Sequence, residues 1–172
     1  QNRMLKIKAL LKKAKEKGAK KEEISYIYVD IGYKYLQQGK YKEAEEEVRS
    51  AVKDDKTNYG AYMLLGLLNI INKNTKEAEK NILKGIETDK EKPQGYVLMG
   101  RLKLTQDKKK EAEQWFADAM QTAKDNKEKS NICIYIAKEI INFMRSSNEL
   151  NIETIKEIKR WLKKAKGYDK ER

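Results

Sequence analysis

The chain has 172 residues, 39% of them hydrophobic and 38% charged, which suits one domain with a core and much exposed surface. One proline and nine glycines argue for long uninterrupted helices rather than sheet, a single cysteine excludes an intrachain disulfide framework, and the lack of histidine removes the usual general base and metal ligand. The formal charge of +12 is concentrated at the ends: residues 1–24 carry nine basic and three acidic side chains and residues 152–172 eight and four, so the middle is nearly balanced.

In chain order, the opening stretch MLKIKALLKKAKEKG places Met4, Ile7, Leu11 and Ala14 on one helical face, with Gly18 as its stop. From residue 25 the chain repeats itself. The tetrapeptide KEAE begins at Lys42, Lys76 and Lys110, each 34 residues after the last. Tyr28, Tyr62 and Tyr96 keep that spacing, as do Gly32, Gly66 and Gly100. Three independent sets of positions sharing one period mark a repeat architecture. Each unit reads as a helix bearing the Tyr and Gly, a turn (QQGKY, NKNT, TQDKK), and a second helix opened by KEAE. The small residues Gly32, Gly66, Gly100 and Ala44, Ala78, Ala112 let the two helices approach closely. Val48, Ile82 and Phe116 continue the apolar stripe of the second helix, and Pro93 suits the first turn of the third unit. After Asn126, KSNICIYIAKEIINFMR and NIETIKEIKRWLKKAKG form a divergent last pair around the turn SSNELN, with Ile155, Ile158, Leu162 and Ala165 as the inner stripe of the final helix.

The run YMLLGLLNII, residues 62–71, is about half the length needed to cross a bilayer, and no secretory signal is apparent at the N-terminus. A start at Gln1 is consistent with a trimmed leader or anchor. The compartment stays open: the cytoplasm is favoured by cysteine usage, with a periplasmic or anchored location as the alternative if a segment was removed.

The period and the Tyr, Leu, Gly, Ala, aromatic pattern over residues 25–126 resemble the tetratricopeptide repeat family. The resemblance implies an all-α, right-handed superhelical solenoid of antiparallel helix pairs, about nine helices in one solenoid domain. Its parts are an N-terminal helix in 1–24 like the second half of a preceding repeat, repeats at 25–58, 59–92 and 93–126, and a capping pair in 127–172. Departures occur at Asn69 and Lys103, where Tyr35 holds the family's second tyrosine, and at Lys56, Lys90 and Lys124, where proline is common.

In such repeats one stripe of each first helix lines a concave groove. The corresponding residues are Tyr26, Val29, Tyr33 and Leu36 in the first unit, Met63, Leu67, Ile70 and Ile71 in the second, and Val97, Arg101 and Leu104 in the third. This floor is mostly apolar, with Arg101 its single cation. Members that clamp acidic C-termini carry Lys, Asn and Arg where this chain has Val29, Tyr33, Leu64, Gln94 and Leu98, so that mode is rejected.

The expectation is therefore a non-enzymatic scaffold that binds an apolar or amphipathic peptide or helix of a protein partner in the groove. Two alternatives stay open: a structural solenoid segment of a larger protein whose groove is filled by its own chain or, in a homo-oligomer, by another copy, and basic terminal helices that bind an anionic membrane surface or, less favoured, nucleic acid. Lys12, Lys13, Lys15, Lys17, Lys20 and Lys21 at one end and Lys159, Arg160, Lys163, Lys164 and Lys166 at the other carry that second alternative. No cofactor or metal is implied, since there is neither a phosphate-binding loop nor a dinucleotide fingerprint. Cys133, within ICIYI, reads as a buried structural thiol, and Trp115 is expected to pack on the last helix pair, with an exposed anchor for a partner as the alternative.

Overall fold

A computed structural model describes residues 2–148 and 151–170, with side chains from Leu5 onward. The side chain of Met4 and residues Glu149 and Leu150 of the expected last turn lie outside the described residues. Among the described residues there are nine helices and no strand: α1 Asn2–Glu16, α2 Lys21–Gln37, α3 Tyr41–Asp54, α4 Tyr59–Ile71, α5 Thr75–Thr88, α6 Pro93–Thr105, α7 Lys109–Gln121, α8 Asn126–Ser147 and α9 Ile152–Lys170. The all-α expectation and its helix number both hold. Each KEAE lies one residue into its helix, at α3, α5 and α7, and Pro93 opens α6.

The turn inside each pair has one geometry, repeated three times. Gly39, Lys73 and Asp107, again 34 apart, take left-handed backbone with φ of 71°, 59° and 57°. Each starts the same pair of bonds: Gly39 N–H to Leu36 O (2.9 Å) and Lys40 N–H to Tyr35 O (2.9 Å), repeated at Lys73/Asn74 and Asp107/Lys108. These bonds satisfy carbonyls that the helix end would otherwise leave open.

The chain divides into two compact units, Gln1–Thr88 and Asp89–Arg172. In the first, α2 pairs with α3 and α4 with α5. Val29, Ala44, Val48, Ala51, Ala61, Leu64, Leu65 and Leu68 form one apolar cluster, and Leu11, Ile24 and Ile31 join α1 to α2 in another. A Cβ added at Gly32 would stand 2.5 Å from Val48 Cγ2 and 3.1 Å from Leu64 Cδ2, so helix approach there requires glycine. Lys8 and Lys15 of α1 pair with Glu47 and Asp54 of α3, seven residues apart on both helices. The Glu47 hydrogen bond is the main cause that raises the Lys8 pKa.

Polar contacts replace the missing tyrosines. Asn69 Oδ1 accepts from Asn81 Nδ2 at 2.9 Å across the α4–α5 pair, and Lys103 Nζ lies 3.3 Å from a Glu111 carboxylate across the α6–α7 pair.

The second unit has its own core of Val97, Ala112, Phe116, Ala119, Ile132, Cys133, Ile136, Ala137, Ile140, Trp161 and Ala165. Phe116 presents its ring to Trp161 edge-on at 6.0 Å, an arrangement favoured by the ring quadrupoles. The final helix departs from the expected stripe at one position: Ile155 and Ile158 are half-buried and Ala165 is buried as expected, but Leu162 is not. Trp161 and Ala165 are its buried residues, while Leu162 is 44% exposed, because the large indole takes the seat against Phe116. The ring contact made by Trp115 is with Tyr96 of its own pair, at 6.2 Å, so the indole meeting the core of the last pair is Trp161 rather than Trp115.

Candidate functional site

The residues expected to line a groove fall into three groups by exposure. On α2, Tyr26 is 62% and Tyr33 40% exposed, two turns apart on one face, about 10.5 Å along the axis. On α4, which packs beside α2, Leu67 and Ile71 are half-buried; Leu67 rests on the apolar cluster that contains Val29. Leu36 is likewise half-buried on that cluster. These side chains leave apolar and aromatic surface in reach of another molecule. The Tyr33 hydroxyl pKa is pushed up by desolvation, as surrounding protein disfavours the phenolate.

A second group is buried in the first unit. Val29, Met63 and Ile70 are 6%, 7% and 8% exposed. Met63 is turned toward α5, where its methyl group occupies the space that a Cβ would need at Gly85. The equivalent positions in the neighbouring repeats are Ala51 and Ala119. Glycine leaves a hollow there, and a flexible thioether fills it.

The third group belongs to the second unit and is committed to internal packing. Val97 is fully buried in the core and Leu104 is packed against it. Arg101, the expected groove cation, is 6% exposed and donates from Nη1 to Glu139 Oε2 of α8 at 2.8 Å. Its Nε is buried with no hydrogen-bond partner among the described residues, and Glu139 Oε1 also accepts from Asn142 at 3.2 Å. Arg101 is thus an internal tie between α6 and α8. The sequence carried one signal for it, since Glu139 is an acid inside the apolar run ICIYIAKEIINFM.

Ile27, 40% exposed beside Tyr26, is a surface apolar residue that the groove stripe did not include. Its exposure follows from the angular position of α2, which periodicity alone left ambiguous.

Cys133 is buried, its Sγ lies 3.7 Å from Met120 Sδ, and burial raises its thiol pKa, the reverse of nucleophile activation. Among the described residues no three His, Cys, Asp or Glu side chains cluster as metal ligands, and no helix is long and apolar enough to cross a membrane.

Residues 25–58 and 59–92 match the tetratricopeptide repeat model. A search of curated protein sequences finds no significant relative. Among solved structures the chain is similar to MamA, at 17% identity and a TM-score of 0.60 over 94% of this chain and 85% of that one. It is also similar to the type III secretion translocator chaperone SycD of Yersinia enterocolitica, at 15% identity and a TM-score of 0.62 over 74% and 96%. A third is YrrB, a TPR protein with an unusual peptide-binding site, at 13% identity and a TM-score of 0.54 over 92% and 91%. Residues 25–92 thus carry two tetratricopeptide repeats, and the solved structures extend the likeness of fold along the rest of the chain. Repeats of this type generally serve as non-enzymatic protein–protein interaction scaffolds, whose partners are proteins or peptides.

Proposed function

We propose that these tetratricopeptide repeats hold an apolar or amphipathic segment of a partner protein against the face formed by α2 and α4. The observation that carries the reading is the pair Tyr26 and Tyr33, which stand exposed at i and i+7 beside the half-buried Leu67 and Ile71. Tyrosine gives a large amphipathic contact at low entropic cost, and aromatic anchors are enriched among residues that dominate binding energy. Seven-residue spacing matches the recurrence of apolar side chains along one face of an amphipathic helix. The fold shared with YrrB, whose structure includes a peptide-binding site, is compatible with this use, but the side chains of α2 and α4 supply the argument. Val97, Arg101 and Leu104 do not contribute to it, because each is already spent on packing in its own unit.

The test is to recover partners with the intact chain, map the captured segment, and measure its affinity as a peptide. Tyr33→Ala and Leu67→Lys should each weaken that affinity by at least about tenfold with helical circular dichroism unchanged. Met63→Glu is unsuitable as a groove probe, since it would drive a carboxylate against Gly85 and damage the α4–α5 pair. An affinity insensitive to both substitutions overturns the reading. If light scattering shows concentration-dependent self-association that Leu67→Lys abolishes, the occupant of this face is a second copy of the chain.

A further inference from the structure

The outward face of α9 bears a feature that the protein-binding reading leaves unused. Lys156, Lys159, Lys163, Lys166 and Lys170 follow one another in steps of three and four residues. At about 100° per residue they fall within about 80° of each other, centred opposite the buried Trp161, in a line about 21 Å long. All five are exposed, and none forms an ion pair with a carboxylate among the described residues. Two acids of α9, Glu153 and Glu157, are engaged elsewhere, and Asp169 stands at the flank of the line. Glu153 lies 3.8 Å from Lys109 of α7, and Glu157 accepts from Arg160 (2.5 Å) and from Trp161 Nε1 (2.9 Å). Lys164 and Arg160 are also exposed but lie over the Trp161 ring, 4.4 Å and 5.7 Å from its centre, to one side of the line.

Five co-facing ammonium groups with no paired carboxylate among the described residues repel one another, so the line is stabilised by whatever brings further negative charge to it. Three occupants have the right sign. An acidic helix would need a continuous apolar seam to pack on, yet the face offers only Ile152, 74% exposed near one end, and Leu162, 44% exposed at its flank, about 15 Å apart along the axis. Base recognition in nucleic acid uses arginine forks and stacked aromatics, and this line contains neither, which leaves only non-specific phosphate contact for that polyanion and no use for the exposed Ile152 and Leu162. A layer of anionic headgroups is a diffuse negative plane that a straight row of lysines meets all at once, while isolated apolar side chains reach the acyl boundary beneath it. We infer that α9 is a docking face for an anionic lipid surface, with Lys156, Lys159, Lys163, Lys166 and Lys170 on the headgroups and Leu162 inserted beside them. This function is independent of the α2–α4 face.

The experiment is vesicle flotation of the intact chain with phosphatidylcholine alone, with phosphatidylcholine containing phosphatidylserine, and with duplex DNA added as a competing polyanion. Binding is expected only to the phosphatidylserine vesicles and falls with salt as charge is screened. A lysine near an anionic surface is worth about fivefold in partitioning, so Lys159→Gln with Lys166→Gln should weaken binding about 25-fold. Lys12→Gln with Lys13→Gln on α1 removes the same charge and should leave binding nearly unchanged, as should Leu67→Lys. Equal losses from the α1 and α9 pairs would show that net charge alone acts, and the α9 face would be abandoned. The proposal also fails if duplex DNA strips the protein from the vesicles at equal phosphate concentration, or if the α9 variant floats like the parent chain.

Discussion

Asn58 is 1% exposed at the start of α4, where its Oδ1 accepts the Ala61 amide at 3.0 Å and its Nδ2 donates to Ser25 Oγ at 2.8 Å. Ser25 in turn donates to the Ala51 carbonyl at 2.9 Å, so one buried chain of bonds ties the starts of α2 and α4 to α3. The capping bond alone is worth about 1 kcal/mol, and stranding the remaining buried partners adds a similar amount. Asn58→Ala should therefore lower unfolding free energy by about 2 kcal/mol in urea titration; a loss under about 0.5 kcal/mol would show that the network is not holding the helices. The 34-residue spacing does not announce this network, because the equivalent residues in the next unit are Tyr59 and Lys92, neither of which can reproduce it. Met63 teaches the same lesson about direction. Helix spacing fixes where its Cα–Cβ bond points, but three further rotatable bonds let the thioether bend into the hollow at Gly85, and the only advance sign was a glycine among the alanines at 51 and 119.

At the scale of elements, the helix boundaries were legible because the rules that set them are local. The KEAE openings, the first-turn Pro93 and the three left-handed turn residues all act within a few residues of one another. Only the first of those turns has the residue its backbone prefers. Gly39 meets no steric cost at positive φ, whereas Lys73 and Asp107 hold the same conformation with a Cβ. Lys73→Gly or Asp107→Gly should raise stability by about 0.5–1 kcal/mol, with both changes additive since they lie in different compact units. Thermal melts of the single and double variants check this; no gain would mean that the side chains of Lys73 and Asp107 make compensating contacts. The final helix was placed correctly and its inner face read correctly except at Leu162, where Trp161 is buried instead. Leu162 and Trp161 both continue a stripe through Ile158 and Ala165 at helical spacing, and the choice between them was made by the edge-on seat against Phe116, a residue on another helix.

For the whole molecule, the two compact units each carry an apolar core of their own, one around Val48 and Leu64 and the other around Phe116 and Ile136. Repeat proteins draw stability from each repeat and its nearest neighbours, so a unit with its own core should fold alone. Residues 89–172 expressed separately should stay helical and melt cooperatively; a fragment with no thermal transition would show that this core is insufficient. Phe116→Ala in the same fragment should cost about 3–5 kcal/mol and abolish the transition. The sequence by itself determined the all-α class, the 34-residue phase and the turns, since these depend on periodicity and on interactions between neighbours along the chain. It also showed that the first helices of the repeats carry more apolar surface than their own pairing requires. Only the tertiary structure decided how that surplus is used. Tyr26 and Tyr33 stay in solvent, Met63 folds onto Gly85, and Arg101 finds Glu139 across 38 residues of chain, because the orientation of a long side chain is settled by neighbours remote in sequence.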